Sequence, residues 1–408
     1  MIVKQYIKDF EKLGFGLFVH FGIYSDMECG EWNKLSNHVP DAVYEAHAKT
    51  FCPDPAWAMN LARTAKETGC RYITLTTRHH DGYSLYDTKG LNTYDAPHSC
   101  GRDLVREFVD ACRAFGLVPF LYHTLLDWRE PSYQNDFPAY LEYLRKSIEI
   151  LCTCYGKIGG FWFDGMWDRK EDDWEEDKLY GLIRQYQPEA MIINNTGLSA
   201  RGELGHIELD SVTFERGKPQ KLNISGAPKY VASEMCEVFG SHWGYAKEDL
   251  NFKAPAQIIK ELAECRRYGS NFLMNVGPRG DGSLRPIEAA SLELLGKWMG
   301  YFAEAMHEPR PTDIAVAESK SDFLLKNGKN YYYFCYDLPM VADPNVTLTQ
   351  EHDYVRSFSL PEQIGSVTWL DNGTEVAFEQ SADKVKLFTC PYTYGRDLVV
   401  RVAKILCL

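Results

Sequence analysis

Apolar, strand-like runs alternate with amphipathic helical stretches over about the first 305 residues of this 408-residue chain. The strand-like runs are 16–22, 72–78, 117–123, 159–165, 190–195, 206–211, 231–236 and 270–277. Helical periodicity marks 56–68, 101–115, 136–154, 173–187, 256–268 and 286–306, with Pro286 suited to a first helical turn. Two of the later links lack a clear helix. Eight strands alternating with helices predict an α/β fold of the (β/α)8 TIM-barrel type. After Pro309-Arg310-Pro311 the texture changes to short runs at 331–336, 366–370 and 398–402, separated by turn signals such as Asp371-Asn372-Gly373. The expected organisation is therefore a catalytic barrel over 1–308 and a C-terminal antiparallel β-sandwich over 312–408.

The net charge of −13 argues against nucleic acid as a partner and supplies no polybasic membrane anchor. No run is long enough to span a bilayer, and the first residues lack an apolar core followed by a small-residue cleavage site. A cytoplasmic location is expected, although a chain trimmed of its leader would read the same. The 12 cysteines are scattered without CxxC pairs, as expected of buried thiols rather than a disulfide framework or a zinc site.

Within this frame, Phe161-Trp162-Phe163-Asp164-Gly165 puts one acid at the end of an otherwise aromatic strand. A carboxylate there is costly unless paired or used, and the carboxyl ends of barrel strands are where catalytic groups collect. The neighbouring ends are also polar and aromatic: His20, Glu31-Trp32, Arg78-His79-His80-Asp81, Tyr122-His123 and Asp127-Trp128. His79 and His80, adjacent at a strand end, point to opposite sides, and there is no HxH or HExxH spacing, so a metal is not expected, and the two-carboxyl chemistry below needs no metal or organic cofactor. Polar donors with tryptophans suit a sugar. Glycoside hydrolysis then needs two carboxyl groups. Asp164 is the natural nucleophile, and the acid has three candidates: Asp210, Glu215 in a loop after the sixth run, and Glu234 on the seventh. A rim position favours Glu215, with Glu234 second.

Five segments together resemble the α-L-fucosidases of glycoside hydrolase family 29. They are residues 14–22, residues 78–82, the Asp164 run, Ser241-His242-Trp243-Gly244-Tyr245 and residues 271–278. The resemblance implies a barrel with a C-terminal β-sandwich and a retaining mechanism. It gives Asp164 the nucleophile's place and His20, His79, His80 and Trp162 the places of fucose-holding residues. Glu31 and Trp32 match a loop pair that closes on the sugar, and Trp243 an aromatic near its methyl group. Tyr122 takes a fucose-contacting place, which a one-residue shift gives to His123. Glu215 resembles a loop glutamate that serves as acid/base, while Glu234 matches a second family glutamate.

The expected function is a retaining exo-α-L-fucosidase acting on fucosylated oligosaccharides or glycoconjugates. The alternatives are a retaining glycosidase for another sugar, such as an α-galactoside, and a non-catalytic sugar-binding protein. Linkage preference and oligomeric state carry no sequence signal.

Overall fold

The computed structural model describes residues 2–195, 204–222, 227–341 and 354–408. Eight parallel strands close into a barrel: β1 (Phe15–Val19), β2 (Tyr72–Arg78), β3 (Val118–Thr124), β4 (Gly160–Asp164), β5 (Met191–Asn194), β6 (Ser211–Glu215), β7 (Ala232–Val238) and β8 (Asn271–Val276). β8 pairs back on β1, Phe15 opposite Phe272, so the sheet has no free edge. Nearly every strand residue is buried. Helices on one face and packed side chains on the other leave neither side in water.

Seven strands fall on the expected runs; the sixth does not. Residues 206–208 form a bend and a turn, 209 and 210 have no regular structure, and pairing begins at Ser211. Of the apolar residues that gave this stretch its alternation, Leu209 is buried but Ile207 is 59% exposed. The true strand turns Val212 and Phe214 one way and Ser211, Thr213 and Glu215 the other. Its polar inner face explains why it reads as a loop. In the links on either side of β6, the described residues contain no helix.

The helix Gln5–Leu13 seals the amino-terminal end of the barrel. Phe10 packs on Tyr72 and Phe120, with ring centroids 5.7 and 5.6 Å away. Gly16 makes room for this layer, because a Cβ there would lie 2.4 Å from the Tyr72 ring. The layer above holds Phe18, Tyr122 and Trp162, with Trp162 5.1 Å from Phe18 and 5.7 Å from Tyr122. This second layer is the floor on which the site stands.

The chain divides into two compact units, Met1–Lys253 with Ser270–Glu293, and Ala254–Gly269 with Leu294–Leu408. In the second, β9 (Arg310–Pro311), β10 (Phe323–Asn327), β11 (Asn330–Tyr336), β13 (Ile364–Trp369) and β16 (Val400–Cys407) form one antiparallel sheet in the order β13-β16-β11-β10-β9. A second sheet contains β12 (Tyr354–Ser359), β15 (Lys384–Thr389) and β14 (Ala377–Ser381). Leu324, Tyr333, Trp369 and Ile405 from the first sheet meet Phe358, Val385 and Leu387 from the second in one core. This is the packing of a β-sandwich. All 12 cysteines are free thiols. Among the described residues, no helix is long and apolar enough to cross a membrane.

Candidate active site

β4 presents Asp164 by strand parity. Phe161 and Phe163 stack outward with planes 7° apart, while Trp162 and Asp164 face the barrel axis. The strand ends abruptly at Gly165, whose φ of 101° lies in the region favouring glycine. A Cβ there would approach Leu126 Cγ to 2.9 Å. The Asp164 backbone is tied to β3 through its carbonyl, which accepts from Leu125 N at 2.6 Å. The carboxylate is thus set by rigid backbone, yet 15% of its side chain stays exposed and reachable.

Four groups from different segments surround that carboxylate. Tyr122 donates its hydroxyl to Oδ2 at 3.1 Å. Trp167 Nε1 and Asn195 Nδ2 donate to Oδ1 at 3.3 and 3.2 Å. His80 Nε2 lies 3.5 Å from Oδ2. Thr124 Oγ1 gives its proton to Leu126 O and so accepts from His80 Nδ1, which fixes that ring with Nε2 toward Asp164. Burial alone pushes the Asp164 carboxyl up. His80, Trp167 and Asn195 outweigh it and hold the pKa below the ordinary carboxylate value.

Glu215 closes the other side of the cavity. It ends strand β6 rather than lying in a mobile loop, which corrects the expectation. Its Oε2 accepts from the same Asn195 Nδ2, at 2.5 Å. Asn195 Oδ1 in turn accepts from Thr213 Oγ1 at 3.1 Å, so the amide is oriented from behind. The nearest oxygens of Asp164 and Glu215 are therefore no further apart than those two bonds laid end to end.

The remaining wall is aromatic and imidazole. His20 Nδ1 and Asn275 Oδ1 are 2.6 Å apart, and Asn275 Nδ2 donates to Trp243 O at 2.7 Å. That amide orientation makes Nδ1 the protonated nitrogen of His20 and leaves Nε2 as an acceptor. Burial, only partly offset by the Asn275 hydrogen bond, pushes the His20 pKa down to about 3, so the ring is neutral. His79, its pKa also well below normal through burial and the adjacent His80 and His20, stacks on Tyr122 with planes 10° apart. Trp243 lies 5.1 Å from His20 and 6.0 Å from Phe18. Trp32 stacks on Trp167 at 5.7 Å and meets His80 and Trp128 edge-on.

Phe18, His20, Trp32, His79, Tyr122, Trp162, Asp164, Trp167, Asn195, Glu215 and Trp243 line one open cavity. The other expected residues stand behind it. Glu31 is buried and accepts from Gly244 N at 2.7 Å, joining the Trp32 loop to the Trp243 loop. Burial raises its pKa. Glu234 lies under the floor, accepting from Trp162 Nε1 at 3.0 Å and from the Tyr72 hydroxyl. Asp210, at the amino end of β6, binds Arg184 and Lys229 at 2.5 and 2.7 Å, away from the cavity. His123 has the outward parity of β3 and meets Tyr86 at 3.2 Å. Asn195, Asn275, Trp167 and Phe18 were not anticipated. Asn195 could have been found, because it continues the inward parity of Ile193 one step past β5. Among the described residues, no cluster of His, Cys, Asp or Glu is arranged to hold a metal.

A buried carboxylate pair over an aromatic floor, at the carboxyl ends of barrel strands, is a hydrolase geometry. The family model described as alpha-L-fucosidase matches residues 3–304. The chain belongs to the α-L-fucosidase family. Tissue alpha-L-fucosidase of Mus musculus is 27% identical over 369 residues, covering 80% of this chain and 77% of that protein. The Bos taurus protein of the same name is 29% identical over 338 residues, covering 74% and 69%. In three dimensions, alpha-L-fucosidase isoenzyme 1 from Paenibacillus thiaminolyticus matches with a TM-score of 0.82 at 25% identity over 99% of both chains. The alpha-L-fucosidase GH29 of Bacteroides thetaiotaomicron shares the fold, with a TM-score of 0.82 at 21% identity over 98% and 94%. Membership of this family makes the chain a glycoside hydrolase of the α-L-fucosidase type. The family match covers every residue of the cavity described above.

Proposed function

We propose that this family member is a retaining exo-α-L-fucosidase that releases terminal fucose from fucosylated oligosaccharides or glycoconjugates. The observation that carries the reading is the shared Asn195 nitrogen. It limits the nearest oxygens of Asp164 and Glu215 to a separation below the roughly 6.5–9.5 Å spacing of an inverting carboxyl pair, which supports the retaining reading.

Asp164, held anionic by its donors, attacks the anomeric carbon as the bond to the leaving oxygen breaks. Glu215 gives that oxygen a proton. In the second step Glu215 takes a proton from water, the water oxygen bonds to the anomeric carbon, and the ester bond to Asp164 breaks. His20, neutral, offers Nε2 to a sugar hydroxyl, and His79, His80 and Tyr122 supply further polar contacts. Trp162 and Trp32 bound the ring. Trp243 with Phe18 forms an apolar corner suited to a C6 methyl. The Phe18–Tyr122–Trp162 floor makes the cavity a dead end, which suits a terminal residue and gives the exo mode. The reaction belongs to the barrel, 1–308, leaving 312–408 as the accessory β-sandwich.

The test is kinetic, with azide and an aryl α-L-fucoside bearing a good leaving group. Asp164→Ala should abolish hydrolysis, and any azide product should be the inverted β-fucosyl azide, formed with azide in the place of the missing carboxylate. Glu215→Ala should lose hydrolysis and recover turnover with azide, giving the α-fucosyl azide expected when azide replaces water in the second step. Glu234→Ala should not be rescued. Rescue of Glu234→Ala, with none for Glu215→Ala, would move the acid/base to Glu234.

A further inference from the structure

Asn195 touches both carboxylates, and it does so through a single nitrogen. Its position is over-determined. The residue is 4% exposed. Its backbone N–H is bonded to Phe163 O at 2.8 Å, and the Thr213 hydroxyl on its Oδ1 turns both amide hydrogens toward the cavity. Nδ2 carries two hydrogens and has two carboxylate acceptors. The amide is therefore a donor shared between Asp164 and Glu215, pre-set by β4, β5 and β6 together.

We propose that Asn195 is a positioning residue that follows the negative charge through the reaction cycle. The proposal rests on the roles given above to Asp164 and Glu215. Before the first step Asp164 is the anion and Glu215 carries the proton. Glycosylation turns the Asp164 carboxylate into a neutral ester while Glu215, having lost its proton to the leaving oxygen, becomes the anion. Hydrolysis reverses both changes. The charge thus moves between two oxygens that one amide already reaches. A donor fixed before the reaction stabilises each anion in turn without reorganising, which is where preorganised hydrogen bonds are most effective. Neither residue type nor strand position gives Asn195 any proton chemistry of its own.

Among the described residues, the titratable groups facing the pair from the packed elements include His20 after β1, His79 and His80 after β2, Tyr122 on β3, Cys236 on β7 opposite Glu215, and Glu234 beneath. None is altered by substituting Asn195. Removing a donor from a carboxylate raises its pKa. In Asn195→Ala, both limbs of the pH profile of kcat/KM should therefore move to higher pH. The acidic limb follows Asp164 and the basic limb Glu215. The maximum should fall about 10²–10³-fold, the scale for losing one preorganised donor. Thr213→Val keeps the amide but frees it to rotate, and should move both limbs the same way by less. It provides the readout even where Asn195→Ala does not fold.

A drop in the maximum with both limbs in place, in either variant, would show that Asn195 only supports the fold and would overturn the proposal. Azide separates this from failure of the underlying roles. If Glu215→Ala is rescued but the limbs stay fixed in the Asn195 and Thr213 variants, the proposal alone fails. If Glu215→Ala is not rescued, the assignment beneath it fails.

Discussion

Glu234 Oε1 accepts the indole N–H of Trp162 at 3.0 Å, one layer beneath the cavity, while the Tyr72 hydroxyl bonds its other oxygen. A buried acid under the cavity is thereby occupied in holding the Trp162 indole at a fixed tilt. Burial, opposed by those two hydrogen bonds, pushes its pKa from 4.5 up to about 7.

A raised folded-state pKa contributes stability that is complete below about pH 4.5 and is lost as pH climbs through about 7. Glu234→Gln, which keeps one acceptor and offers an amide to Tyr72, removes that titration. Wild type should lose roughly 2–3 kcal/mol relative to the variant between pH 5 and pH 8 in urea unfolding. A constant difference across that range would contradict the shift.

Tyr122 donates to the Asp164 oxygen that His80 also faces. In Tyr122→Phe the carboxylate loses a donor, so the acidic limb of kcat/KM should rise in pH. Hydrogen bonds to a charged group are worth about 1.5–3 kcal/mol. The corresponding loss in kcat/KM is roughly 10–100-fold, read with an aryl fucoside at the optimum pH.

Gly165 ends the strand that carries Asp164. Gly165→Ala meets both an unfavourable φ of 101° and the Leu126 side chain. The expected cost is about 1–3 kcal/mol for the backbone alone. Activity per folded molecule should fall too, because Asp164 is the adjacent residue. Thermal unfolding together with active-site titration by a fluorinated fucosyl fluoride checks both.

Asp210 offers the opposite separation. It is buried between Arg184 and Lys229 and accepts from Tyr6 and from Ile192 N, at the end of β6 remote from Glu215. Asp210→Ala strands two cations, a change that typically costs about 3–5 kcal/mol. kcat should stay within a few-fold of wild type at low temperature. A large kcat loss with unchanged stability would place Asp210 in the reaction after all.

The barrel was legible because buried parallel strands leave near-continuous apolar runs, and because an acid ending such a run, as Asp164 does, has few structural excuses. β6 was not, since Ser211, Thr213 and Glu215 give its inner face the polarity of a loop, while Ile207 and Leu209 imitate a strand just before it. Asn195 escaped for a chemical reason. An amide has no titration or nucleophilicity to advertise, and its value lies wholly in which two groups it reaches. Glu31 shows the converse: its motif pointed to the sugar, but its carboxylate is bonded to Gly244 N and clasps two loops.

The groups around Asp164 come from the segments ending β2, β3, β4 and β5, and Glu215 arrives on β6. No contiguous stretch of chain carries the constellation, and no half of the barrel does either. Catalytic competence should therefore emerge in a single step, late in folding, when the last strands pair. A fucoside assay run during refolding would act as a clock for ring closure, lagging any probe of helix formation.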